Sequence, residues 1–217
     1  MKYKAVLFDL DGTLLDTLDD LADSMNATLR QMGCPTHPAA SYKVFVGDGV
    51  DILARRALPA GRLDEETVAR CIKTMRLEYD TRMFNKTRPY SGIPGLLDAL
   101  TEKNIRLCVL SNKPDGPTNT IVGKLLPHWR FAAVSGQKPG VGKKPDPAGA
   151  LGMAASLSLA PRDFLYLGDT STDMKTAVAA KMFPVGALWG FRDEKELLEN
   201  GAKALVAHPG DVLGFIG

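Results

Sequence analysis

The chain has 217 residues, 45% of them hydrophobic and 24% charged, enough to bury one full core and carry a second, smaller module. Its 27 basic and 25 acidic side chains leave a formal charge of +2, which excludes nucleic acid or an anionic membrane surface as the main partner and points to a small molecule. No apolar run approaches the length of a membrane span, and the run Ala5 to Phe8, cut by Asp9, is too short for a signal peptide. The three cysteines, Cys34, Cys71 and Cys108, are an odd number with no close pair, which suits reduced thiols in the cytoplasm rather than disulfides or zinc.

In chain order, the first expected strand is Ala5 to Leu10. From Leu18 to about Arg82 the pattern is helical throughout. The first helix places Leu18, Leu21, Ala22, Met25, Leu29 and Met32 on one stripe and stops at Gly33, with Pro35 beyond. A second starts near Gly49 and carries Ile52, Leu53, Ala57 and Leu58; a third starts at Asp64 and carries Val68, Cys71, Ile72, Met75 and Tyr79. Asp16, Asp19, Asp20 and Asp23 are expected on the wet face where the first helix begins. The turn-rich stretch Pro89 to Gly95 is expected as a hinge. Strands follow at Ile105 to Leu110, Phe131 to Val134, Phe164 to Gly168, Phe183 to Leu188 and Ala204 to Val206, with helix-length segments between most of them and a closing element at Gly210 to Ile216. The expected fold is α/β, a Rossmann-like parallel sheet core of residues 1–15 and 84–217 with an inserted helical domain, 16–83.

The strongest chemical signal is Phe8-Asp9-Leu10-Asp11-Gly12-Thr13-Leu14, two carboxylates two positions apart after a buried strand, where alternation points both to one side. Charge held at the end of an apolar strand calls for a cation, and hard carboxylate oxygens favour magnesium, which also suits phosphate substrates. Ser111 ends the strand at 105–110, Lys144 lies in Lys143-Lys144-Pro145, and Gly168-Asp169-Thr170-Ser171-Thr172-Asp173 follows the strand at 164–168. In open α/β sheets such carboxyl ends converge on one crevice.

The ordered set Asp9-x-Asp11-Gly12-Thr13, Ser111-Asn112, Lys144-Pro145 and Gly168-Asp169-x3-Asp173 resembles the haloacid dehalogenase superfamily over the whole core, and the helical insertion resembles its small cap domain. The resemblance implies a magnesium-dependent phosphatase. Asp9 would be the nucleophile, and Asp11 would protonate the leaving group and then activate water. Lys144, Ser111 and the amides around Asn112, Gly12 and Thr13 would hold phosphoryl oxygens, and Mg2+ would take Asp9, the Asp11 carbonyl and Asp169. Asp173 would be an indirect ligand through water, an orienting group for Lys144, or simply the start of a helix.

The stretch Phe45-Val46-Gly47-Asp48-Gly49 to Arg55-Arg56-Ala57-Leu58, with Asn112-Lys113-Pro114, is similar to phosphoglycolate phosphatases. It implies 2-phosphoglycolate as substrate, with Arg56 for the carboxylate and Arg55 or Lys43 in reserve. Gly47 and Gly49 serve either a tight turn or substrate gating. The same core motifs fit phosphatases for sugar phosphates or pyrophosphate, a phosphomutase, and a non-catalytic binding member of the fold. His37, His128 and His208 read as loop residues, and nothing indicates the oligomeric state.

Overall fold

A computed structural model describes residues 2–217, which divide into two compact units: a core of residues up to Leu15 with Pro89–Gly217, and a helical unit, Asp16–Arg88. The strands in chain order are β1 (Ala5–Phe8), β2 (Leu15–Asp16), β3 (Arg88–Pro89), β4 (Arg106–Pro114), β5 (Phe131–Gln137), β6 (Phe164–Gly168), β7 (Phe183–Ala187) and β8 (Ala204–Val206). The helices are α1 (Leu18–Gln31), α2 (Tyr42–Phe45), α3 (Val50–Ala57), α4 (Glu65–Arg82), α5 (Ile93–Glu102), α6 (Asp115–Leu125), α7 (Ala148–Ser156), α8 (Ser171–Ala179) and α9 (Glu194–Glu199).

Six strands form one sheet in the order β5-β4-β1-β6-β7-β8, every pairing parallel, while β2 and β3 form a separate pair. Every residue of β1 and β6 is buried, the mark of central parallel strands covered on both faces. Ala5, Leu7, Cys108, Phe164 and Tyr166 share one core cluster with Ala150, Met153 and Ala177 of the flanking helices. Because β1 is flanked by β4 and β6, and the chain builds outward on one side before returning to the other, a crevice forms at its carboxyl end.

β1 stops at Phe8, two residues before the expected end, because the Leu10 carbonyl accepts from the amides of Thr13, Leu14 and Leu15 and turns the chain. Strand alternation therefore does not extend through Asp11. At the other side β4 continues past Leu110 to Pro114, with its register against β5 broken there, so that Ser111, Asn112 and Lys113 are strand residues.

In the helical unit α1 and α4 pack together through the expected stripes, Leu21, Ala22, Met25 and Leu29 against Val68, Cys71, Met75 and Tyr79. Asp64 caps α4 by accepting from the Thr67 amide. The short helix α2, absent from the periodicity, buries Tyr42, whose hydroxyl donates to Asn26. Asp20 departs from the expected wet face: it is buried and accepts from the amides of Lys86 and Thr87 and the Thr87 hydroxyl at 2.8–3.1 Å. This carboxylate ties residues 86–87 to α1, so the unit boundary falls after Arg88 rather than after residue 83.

Candidate active site

Asp9 follows β1 directly, and its Oδ1 accepts from the Lys144 ammonium at 2.6 Å. The same ammonium donates to Asp173 Oδ1 at 2.7 Å, so one buried lysine stands between two buried carboxylates. The loop carrying Lys144 is held by Asn112, whose amide nitrogen donates to the Lys144 carbonyl at 3.0 Å. The Asn112 side chain thus positions the lysine.

Asp169 follows β6. Its Oδ1 accepts from the Thr13 hydroxyl at 2.7 Å and its Oδ2 from the Phe191 amide at 2.8 Å. The surrounding backbone leaves it no slack. Gly12 has φ +91°, and a Cβ there would overlap the Asp169 carboxylate and lie 2.6 Å from the Phe191 ring. A Cβ on Gly190 would also meet the Asp169 side chain. The Gly12 amide is engaged by the Leu15 carbonyl at 2.9 Å, so the role of Gly12 is steric rather than that of an oxyanion donor. Thr13 likewise serves Asp169 with its hydroxyl, and the Trp189 indole donates to the Thr13 carbonyl at 3.0 Å.

Asp173 has no acceptor capacity to spare. Oδ1 takes Lys144 and the Tyr166 hydroxyl at 3.3 Å; Oδ2 takes the Thr170 amide and hydroxyl in a capping box that opens α8. Of the roles open to it, orienting Lys144 and starting the helix are both observed, by the same side chain. Ser111 is buried and its Oγ accepts from the Lys113 amide at 3.1 Å.

Asp11 takes a different lysine: its Oδ1 accepts from the Lys113 ammonium at 2.5 Å. The Asp11 side chain is 15% exposed against 7% for Asp9 and 0% for Asp173, so among these acids it has the most access to solvent. Lys113, at 6%, is as buried as the rest of the site. Sequence reasoning assigned no role to Lys113, Tyr166, Trp189, Gly190 or Phe191. Only Lys113 carried a signal, within the stretch Asn112-Lys113-Pro114 quoted for the resemblance.

Asp9, Asp169 and Asp173 each offer an oxygen within 4.8 Å of the others. Burial first, then the charge of Asp173, push the Asp9 carboxyl well above the usual range, against the pull of Lys144. The same two causes push Asp169 up to about 7, against the hydrogen bonds from Phe191 and Thr13. Burial works to lower Lys144, but Asp173 and Asp9 outweigh it and hold the ammonium well above its ordinary value. Three buried carboxylates around one ammonium are an excess of negative charge in hard oxygen donors, and a cation fits that set. With Asp173 saturated by protein donors, Asp9 and Asp169 are the two able to hold it directly.

In the helical unit Gly47 and Gly49 have φ +110° and +93°, so each is required by the turn into α3. The Arg56 guanidinium pairs with Asp48 at 2.7 Å and donates to the carbonyls of Val44 and Phe45; Arg55 pairs with Glu65. The His37 imidazole is likewise structural, bonded to the Ala57 carbonyl at 2.8 Å and edge-on to Phe45. Among the described residues no helix is long and apolar enough to cross a membrane.

Residues 6–187 match the family described as Haloacid dehalogenase-like hydrolase. A phosphoglycolate phosphatase of Rhodospirillum rubrum is 35% identical, over 98% of this chain and 91% of its own length. One of Nitrosospira multiformis is 30% identical, over 95% and 92%. The crystal structure of a protein from Lactobacillus delbrueckii subsp. bulgaricus superposes with a TM-score of 0.92 at 28% identity, covering 100% of this chain and 99% of that one.

Proposed function

This chain belongs to the haloacid dehalogenase-like hydrolases and is a phosphoric monoester hydrolase, and from that premise we propose that it is a magnesium-dependent phosphatase acting on 2-phosphoglycolate through a phosphorylated Asp9. The observation that carries this reading is the division of labour between the two acids of the first motif. Asp9 is buried, with Oδ1 pinned by Lys144, while Asp11 is more exposed and held by Lys113. Two carboxylates in unlike environments suit unlike tasks.

With Oδ1 bonded to Lys144, Asp9 Oδ2 is the oxygen that attacks phosphorus on this reading. As the Oδ2–P bond forms, the P–O ester bond breaks, and Asp11 delivers a proton to the departing alkoxide. Water then attacks phosphorus with Asp11 taking its proton, the aspartyl bond breaks, and inorganic phosphate leaves with Asp9 regenerated. Lys144 and the Ser111 hydroxyl, both buried, stabilise charge on the phosphoryl oxygens. Asp173 keeps the Lys144 ammonium in place. Magnesium, held by Asp9 and Asp169 with the Asp11 carbonyl, would supply further positive charge to the phosphoryl group.

The relatives named phosphoglycolate phosphatase support the choice of ester. On this reading the partner is a small phosphorylated metabolite, not nucleic acid or membrane, in a reducing cytoplasm that suits three free buried cysteines. The test is phosphate release, with and without Mg2+, from 2-phosphoglycolate, hexose and pentose phosphates, pyrophosphate and nucleoside monophosphates. Phosphoglycolate should lead, and Asp9→Asn should abolish turnover with the fold intact. Turnover retained by the purified variant would defeat the nucleophile assignment.

A further inference from the structure

Resting on the phosphatase reading, we infer that Lys113 is the residue that selects a carboxylated substrate, holding Asp11 with one proton of its ammonium and the carboxylate of the leaving group with another.

Lys113 is in β4, two residues after Ser111, and its side chain crosses to Asp11 Oδ1 at 2.5 Å. An acid that protonates the ester oxygen must approach that oxygen within hydrogen-bond distance, so a group bonded to the acid lies at most a few bond lengths further along the leaving group. In a phosphorylated 2-hydroxy acid the carboxylate begins two bonds from the ester oxygen. The ammonium is therefore within reach of that carboxylate when Asp11 serves the ester.

Chemistry agrees with placement. An ammonium carries three protons and can hold two anionic oxygens at once, as Lys144 does between Asp9 and Asp173 at 2.6 and 2.7 Å. Lys113 is 6% exposed, so an anion brought to it meets a charge largely shielded from water. Arg56, the guanidinium that the sequence offered for this carboxylate, has its charge paired with Asp48 and its donors on Val44 and Phe45. Lys113 instead belongs to the same unit as the acid and the nucleophile.

A lysine that merely orients Asp11 would affect every phosphate ester alike, whereas one that binds a carboxylate affects only esters that carry it. The experiment measures kcat/KM for 2-phosphoglycolate and for ethyl phosphate, which has the same carbon count without the carboxylate, in wild type and Lys113→Met. The ratio of the two substrates within one preparation cancels the fraction of protein that is folded. Wild type should prefer phosphoglycolate, and the substitution should lower that ratio roughly a hundredfold, with KM for phosphoglycolate rising. A ratio unchanged by the substitution, whatever the absolute rates, overturns the assignment of Lys113 alone, and a wild type without the preference overturns it together with the choice of 2-phosphoglycolate. A wild type that releases phosphate from neither ester overturns the phosphatase reading and this inference with it.

Discussion

Lys144→Met is the perturbation whose size the structure sets most directly. The side chain is 3% exposed and its ammonium is the positive charge between Asp9 and Asp173, with Asp169 in the same cluster. Methionine has similar length and volume, so the cavity contribution is small and the loss is electrostatic. Removing one partner of a buried ion pair costs about 3–5 kcal/mol, because the remaining charge is left without compensation. For a protein of this size that corresponds to a fall in melting temperature of about 6–20 °C. Both tryptophans, Trp129 and Trp189, lie in the core unit, so their fluorescence follows the melting of the unit that carries the change even if the two units melt separately. The melt is run with a chelator present, since a divalent ion would replace part of the missing charge, and adding Mg2+ should raise the melting temperature more in the variant than in wild type. Adding Asp173→Asn removes one excess acid and should recover part of the loss, a coupling of about 0.5–3 kcal/mol. A shift under about 2 °C, or strict additivity in the double variant, would refute the view that these charges interact across a dry interior.

Gly190→Ala should disturb activity more than stability, because its Cβ would meet the Asp169 side chain rather than open space; overpacking costs about 1–3 kcal/mol and a displaced carboxylate about 10–100-fold in kcat/KM. The control is Gly95→Ala in α5, whose Cβ meets nothing within 4 Å and which should keep full activity; equal activity in the two variants would show that Asp169 tolerates displacement. Asp20→Ala leaves the buried Thr87 amide and hydroxyl without their acceptor, a loss of about 1–3 kcal/mol in the helical unit, read by chemical denaturation followed by circular dichroism. Asp20→Asn keeps one acceptor oxygen and should lose less; an unchanged midpoint in Asp20→Ala would return that acid to the solvated face.

What could be read from the sequence follows from how each feature is built. β1 and β6 were legible because strands buried on both faces become unbroken apolar runs, and Asp9 and Asp169 because each is the first acid after such a run. The contacts that make these acids a site were not, since they join residues with no local pattern between them: Lys113 to Asp11 across 102 positions, Asn112 to Lys144 across 32, and the Phe191 amide to Asp169 across 22. Asp20 shows the same limit from the other side. Helical periodicity places an acid on the polar face of α1, but whether that face meets water or the amides of residues 86 and 87 depends on the return path of a chain 66 positions later. The motifs resembling a known superfamily marked residue types whose side chains meet at strand ends, yet they did not assign partners. The structure gives the two acids of one short motif to two different lysines, only one of them in a quoted core motif. That asymmetry follows from the turn after Phe8: had β1 continued to Leu10, Asp9 and Asp11 would have faced the same side, and their charges would have called for one shared cation instead of two separate ones.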